Sequence, residues 1–385
     1  MVSHVSRNIC VLDLFRRSKG AYEELLMRLK DIDLIGQIGS LLSWDQEVMM
    51  PPKAALLRAE QIAWVSKTAH ERLTDSEIGG LLERLESNDE LSDVQEANIR
   101  LARETYDRAT RLPTEFVEEM AKHRSKSLVS WTEARENDDF SIFRDDLELS
   151  IEHARKKADF YGYKSLRYDA LLDLYESGLT VERLDPLFSG LRDNVAPLIK
   201  AVVDSGNRPD MTWIEENSWE QNAQEELSQR VSEAIGFDFS AGRRDLSTHP
   251  FCGGPNPDDV RWTTRYREDE PFGSLFGSMH ETGHGTYEQG RPRDFDFQPA
   301  GKANGLGVHE SQSRLWENQV GRSREFCEWS LPLWKQCFPD NMEGIGAEQL
   351  WRAVNLVEPG LIRVDADEAT YNLHIMIRYE IEKQL

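Results

Sequence analysis

The segment Met279-His280-Glu281-Thr282-Gly283-His284-Gly285 sets two histidines four residues apart, with a glutamate directly after the first, in the pattern H-E-x-x-H. Positions four apart share one face of a helix, so both imidazoles can reach a single zinc ion at about 2.0–2.1 Å. Glu281 cannot join that geometry, but its carboxylate can reach the fourth, water-occupied position as a general base. With 9 His in 385 residues, a pair of ordinary helix histidines is the competing reading. Gly283 and Gly285 bear on the choice. Each costs a helix about 1 kcal/mol, a loss that close approach of other backbone beside a metal would explain.

A catalytic zinc of this kind needs a third protein ligand. The extended motif with a third histidine is excluded, because Gly290 stands where that histidine would be and Tyr287 replaces the expected glycine. A carboxylate is therefore sought further on, in Gly307-Val308-His309-Glu310-Ser311-Gln312-Ser313-Arg314-Leu315-Trp316-Glu317-Asn318, which reads as a second helix after a glycine-containing loop. Glu310, Arg314 and Glu317 share one face of it. Two histidines and one glutamate leave an open position for water, and Glu310 fits best as the third ligand. Spacing does not separate it from Glu317, and either carboxylate could instead pair with Arg314 or Arg322 on the helix surface.

The elements that must carry these residues are mostly helical. From about Arg16 to Val203, apolar residues such as Tyr22, Leu25, Leu26, Leu29 and Ile32 recur at intervals of three and four. Turns are expected at Pro51-Pro52, at Thr74 with Glu77 as a capping box, at Leu112-Pro113-Thr114 and at Asn137 to Phe140. Between Phe237 and Pro271, alternation through Val260, Trp262 and Thr264 predicts a short strand pair that delivers the chain to the metal helix. Low-complexity linkers and fixed-period repeats are absent, which predicts one mainly α domain over 1–385, with a helical half at 1–236 and a metal- and substrate-binding half at 237–385. The ten tryptophans are expected in the core or an interface.

Composition narrows the partners. A formal charge of -23, from 69 acidic and 46 basic residues, argues against nucleic acid. The basic residues are 13 Lys and 33 Arg, a Lys-poor, acidic balance that suits solubility where salt screens charge. Leu34 to Trp44 is interrupted by Gly36, Gln37, Gly39 and Ser40, so no membrane span is expected. Ile9 to Leu12 is stopped by Asp13, Arg16 and Arg17, unlike a secretory signal, and a cytoplasmic location is expected. The cysteines at 10, 252, 327 and 337 are too scattered for a disulfide framework or a thiolate metal site.

Together these residues resemble the M32 metallocarboxypeptidases, the thermostable or Taq-type carboxypeptidases. His249-Pro250-Phe251 leads to Asp259-Val260-Arg261-Trp262-Thr263, similar to the family's D-x-R-x-T; His280 to His284 matches its H-E-x-x-H; His309-Glu310-Ser311-Gln312 its H-E-S-Q; and Ile362-Arg363-Val364-Asp365-Ala366-Asp367 its I-R-x-x-A-D. The likeness extends to Leu42-Ser43-Trp44-Asp45 and Tyr168-Asp169-Ala170-Leu171-Leu172. The resemblance implies an almost wholly helical, cleft-containing fold, a homodimer, and removal of single residues from peptide C-termini with zinc, for which cobalt can substitute. It implies His280, His284 and Glu310 as metal ligands and Glu281 as the catalytic carboxylate. The family's further motif, G-x-x-Q-D-x-H-W, has no counterpart before Leu385. A truncated homologue, acting as a peptide-binding or dimer-partner scaffold, is therefore the alternative expectation, and an endopeptidase using the same cleft is a third.

An exopeptidase needs a fixed cation for the substrate's terminal carboxylate, and arginine's planar fork suits it. Arg363 is the first candidate and Arg261 the second; the competing readings pair Arg363 with Asp365 or Asp367, and Arg261 with Asp259. His309 is a candidate hydrogen-bond donor to substrate. Gln312 and Asp367 are candidates for orienting ligands. His249 has no assignable place relative to the metal from sequence.

Overall fold

The computed structural model describes residues 3–88 and 90–385, with side chains described from Gly20 onward. Cys10 and the Ile9 to Leu12 run thus fall outside the described side chains. The architecture is mainly helical with a small sheet, as the sequence predicts. No described helix is long and apolar enough to cross a membrane.

The chain divides into two compact units, Met1–Gly162 with Arg291–Ala303, and Tyr163–Gly290 with Asn304–Leu385. The first holds α1 (Ser3–Val48), α2 (Ala55–Leu73), α3 (Ser76–Glu86), α4 (Asp93–Thr110), α5 (Thr114–Glu136) and α6 (Arg144–Tyr161). Pro52 and Pro113 fall at helix starts, where a missing N–H costs nothing. The cap expected at Thr74 is shifted by one residue. Asp75 accepts the Glu77 N–H at 2.9 Å, while Thr74 closes α2 by donating to the His70 carbonyl at 2.8 Å. The reciprocal capping box lies instead at Ser92 and Gln95, opening α4.

Leu25, Ile78, Leu81, Leu82, Leu85 and Ile99 form the core of this unit. Beside them Asn98 is fully buried and fully used. Its Nδ2 donates to the Tyr22 hydroxyl and to Gln298 Oε1, each at 2.8 Å, and its Oδ1 accepts the Ala300 N–H at 2.8 Å. One amide thereby holds residues from the 291–303 segment against α1 and α4.

The second unit holds α7 (Asp169–Leu172), α8 (Val181–Asp204), α9 (Thr212–Glu215), α10 (Gln221–Ile235), β1 (Gly242–Leu246), β2 (Cys252–Asn256), β3 (Asp259–Thr264), α11 (Pro271–Gln289), α12 (Gly305–Arg314), α13 (Arg324–Cys337), α14 (Ala347–Val354) and α15 (Tyr371–Glu382). The predicted strand pair is a three-stranded sheet in the order β1-β3-β2, with β1 parallel and β2 antiparallel to β3. Phe237, Val260 and Trp262 form a buried cluster there. The larger core gathers Trp213, Trp219, Leu227, Leu275, Phe276, Met279 and Trp334. The expected burial of tryptophan holds for these three, whereas Trp64 is 66% exposed.

Replacing Asn98 with Ala takes these partners from the buried Tyr22 hydroxyl and the half-buried Gln298 and Ala300 groups, and should lower stability by on the order of 2–4 kcal/mol in denaturant unfolding, with Asn98→Asp intermediate. A loss below the error of the measurement would show that the amide network contributes nothing.

Candidate metal centre and its cleft

Helix α11 is started by Glu270, whose carboxylate accepts the N–H groups of Phe272 and Gly273 at 2.8 Å each, with Pro271 in the first turn. Leu275, Phe276 and Met279 anchor it in the core. The glycine after Thr282 decides what can dock beside it. A Cβ at Gly283 would sit 2.6 Å from the Gln312 carbonyl oxygen and 2.7 Å from Ser313 Cα, so α12 could not lie where it does against any other residue. Close backbone approach is thus found at Gly283. At Gly285 the neighbour is a side chain, the Phe237 ring at 2.7 Å from such a Cβ.

The approach of α12 carries Glu310 to the two histidines. Its Oε2 lies 3.3 Å from His284 Nε2 and 3.7 Å from His280 Nε2. One atom from each of the three residues falls within 4.8 Å of the others. Glu317 takes a different place, on a π-helical turn, Leu315–Val320, that continues α12. Its Oε2 accepts from His280 Nδ1–H at 2.7 Å. The pairing considered for Arg314 is also present, with both carboxylates at once: Nε lies 3.2 Å from Glu310 Oε1, and Nη1 lies 3.1 Å from Glu317 Oε2.

His309 stands behind His284. Its Nε2–H donates to Glu288 Oε1 at 2.8 Å, so in the neutral ring Nδ1 is the acceptor, and it receives His284 Nδ1–H at 2.5 Å. Both ligand candidates thus have a partner for a proton on Nδ1, which leaves Nε2, the nitrogen facing Glu310, as the one a metal would take in place of a proton. That donor set, two imidazole nitrogens and one carboxylate oxygen with their other sides hydrogen-bonded, fits a divalent metal ion.

The electrostatics separate the acidic groups. Glu281 is 5% exposed, and burial, with Glu310 and Glu317 nearby, pushes it from the ordinary 4.5 up to about 7 against the pull of His280. Burial also acts on Glu310, but its bond to His284 and the charges of His280 and Arg314 hold it down at about 2. Burial lowers His280, yet Glu317, Glu281 and Glu310 outweigh it and leave the ring raised. For His284 burial prevails, and it is lowered.

These side chains line a cavity of about 1060 Å³ within the second unit, and His249-Pro250-Phe251 and Arg363 line it too. The carboxylates suspected of neutralising Arg363 are engaged elsewhere. Asp365 pairs with Arg265, and Asp367 accepts the Ala369 and Thr370 N–H groups at 2.9 and 3.0 Å. Arg363 instead donates from Nη1 to the Tyr371 hydroxyl at 2.6 Å. Arg261 is not brought to the cavity wall; two residues along β3 from Asp259, on the same face, it grips that carboxylate through both arms at 2.7 and 2.9 Å. Among the described residues the Gln312 side chain donates to Ser311 Oγ at 3.3 Å alone, and its backbone lies against Gly283. Sequence reasoning missed Glu288 and Tyr371. Glu288 follows His284 by four residues on one helix, a legible spacing; Tyr371 offers none.

A mainly helical fold with an H-E-x-x-H helix and a carboxylate from the next helix defines a metallopeptidase. The family described as Carboxypeptidase Taq (M32) metallopeptidase matches residues 24–385, and the chain belongs to it. It is 40% identical over 381 residues to thermostable carboxypeptidase 1 of Thermus thermophilus, covering 95% of this chain and 74% of that protein. Carboxypeptidase 1 of Bacillus subtilis is 37% identical over 367 residues, with 94% and 72% covered. The crystal structure of BsuCP superposes with a TM-score of 0.91 at 36% identity, covering 94% of this chain and 73% of that one. The chain thus spans about three quarters of the length of these relatives.

Two outcomes follow. Gly283→Ala should weaken metal binding about 10–100-fold in a chelator competition, because α12 and Glu310 must retreat; unchanged affinity would remove the close approach as the device that builds the site. Glu281 binds its proton more tightly folded than unfolded. In chelated protein its contribution to stability is therefore fully present below about 4.5 and lost as pH rises through about 7. Glu281→Gln should accordingly stabilise the metal-free protein by on the order of 2–3 kcal/mol above pH 7 and negligibly near pH 4. A pH-independent difference in unfolding would contradict this.

Proposed function

We propose that this chain is a zinc-dependent carboxypeptidase of broad specificity that hydrolyses the last peptide bond of substrates with a free C-terminus. The observation that carries the reading is the meeting, in one cavity, of His280, His284 and Glu310 with the buried Glu281 and with Arg363, an arginine having no carboxylate partner among the described residues. His280, His284 and Glu310 would hold the ion, zinc by donor type, with cobalt able to substitute. When bound, the metal supplies Lewis acidity toward the peptide carbonyl and toward water.

Every other role belongs to side chains. Glu281 takes a proton from the attacking water and returns it to the departing amine, and burial suits it by raising its proton affinity toward neutral pH. Arg363 receives the terminal carboxylate, for which its fork has further N–H groups beyond the one given to Tyr371. Glu317 orients His280, and the Glu288–His309 pair orients His284. His309, with both ring nitrogens so engaged, supports the ligand rather than the substrate. The family resemblance supports a homodimer, and the sequence reading a cytoplasmic location.

The test is amino-acid release from an N-blocked dipeptide after chelation and after return of Zn²⁺ or Co²⁺. Release should depend on metal, fall about 10²–10⁴-fold in Glu281→Gln, and vanish when the substrate's C-terminus is amidated. Cleavage of the amidated peptide at an equal rate would make the protein an endopeptidase. A folded, metal-loaded chain that releases nothing would favour the scaffold reading.

A further inference from the structure

The Tyr371 ring is flanked by two guanidinium groups. Arg314 stacks over its face with Cζ 3.6 Å from the ring centroid, and Arg363, Cζ 5.6 Å from the centroid, holds the hydroxyl at 2.6 Å. The two arginines differ in everything else. Arg314 is neutralised by Glu310 and Glu317 and is thereby part of the structure around the metal site. Arg363 has no carboxylate among the described residues, so its charge remains available to an anion.

Two like charges on one ring repel, and the arrangement persists because each is held differently. The electron-rich face attracts Arg314, and the hydroxyl oxygen accepts from Arg363. A salt bridge could have fixed Arg363 as firmly, but a carboxylate there would compete with the terminal carboxylate of a peptide. A neutral acceptor fixes position and leaves charge unspent. The side chains form a continuous path, Glu310 to Arg314 to Tyr371 to Arg363, from a candidate metal ligand to the cation of the substrate site. Its members lie on α12, the 363–365 turn and the first residue of α15.

We propose that Tyr371 is a positioning residue that ties Arg363 to the metal cage through Arg314, so that the distance between the carboxylate receptor and the metal admits a single C-terminal residue. The proposal rests on the reading of Arg363 given above. Geometry requires such a tie, since an exopeptidase measures one residue only if receptor and reacting centre are held to each other within a fraction of an ångström.

The experiment uses the metal-loaded chain carrying Glu281→Gln, so that peptides bind without being cleaved, and compares by calorimetry an N-acetylated dipeptide with its C-terminal amide. Tyr371→Phe, which keeps the ring beneath Arg314 and removes the hydroxyl, should reduce the preference for the acid about tenfold while leaving metal affinity unchanged. Tyr371→Leu should also weaken metal binding, because Arg314 loses its platform. Arg363→Met should abolish the preference. If Arg363→Met abolishes it and Tyr371→Phe does not change it, the tie is overturned and the receptor stands. Equal weakening of acid and amide in Tyr371→Phe would show a merely structural ring and also overturn the proposal. A preference that survives Arg363→Met, or is absent from the Glu281→Gln parent, removes the receptor and the tie with it.

Discussion

The metal site depends on one close approach. Without a Cβ at position 283, α11 lets the backbone of Gln312 and Ser313 come within van der Waals distance, and only that spacing sets Glu310 opposite His280 and His284. The helix gives up about 1 kcal/mol of propensity for this glycine. The loss is offset locally by Leu275, Phe276 and Met279, which hold α11 in the unit's main core. Rigidity of the ligand helix thus comes from burial on one side, while its other side is thinned to admit a second helix.

Around that contact, carboxylates of one chemical type acquire different duties. Glu281 is buried with no hydrogen-bonded cation among the described residues and is pushed up to about 7, whereas Glu310, bonded to His284 and Arg314, is held at about 2. Glu317 lies behind His280 and serves it as an acceptor. The divergence follows from partners rather than distance, because all three lie in the same cavity wall. A base poised near neutral pH and a ligand kept ionised are what hydrolysis at a metal requires of two neighbouring glutamates.

The imidazoles are treated asymmetrically. His280 is oriented directly by Glu317, but His284 is oriented by Glu288 only through His309. The relay accounts for a histidine directly before Glu310: on the same helix it can turn back toward α11 while Glu310 faces the ligands. Arg314 and Tyr371 extend the network toward Arg363, so the candidate metal ligands and the candidate carboxylate receptor form one hydrogen-bonded and stacked assembly.

Much of this was legible in the chain. The H-E-x-x-H spacing placed His280 and His284 on one helix face and singled them out, with Glu281, as candidate ligands and base, because helical periodicity is local and invariant. The helical class, the strand segment before α11 and the turns at Pro52 and Pro113 followed from equally local rules. The cap at Asp75 instead of Thr74 shows the limit of such rules, since adjacent acceptors compete and geometry chooses. Tertiary structure alone separated Glu310 from Glu317, which seven residues' spacing leaves on one face. It also removed Arg261 to the sheet, set His309 behind His284, and left Arg363 without a carboxylate although Asp365 and Asp367 stand two and four residues away. Those outcomes turn on which side chain reaches which partner across helices, and pairings between distant segments are not encoded in any local period.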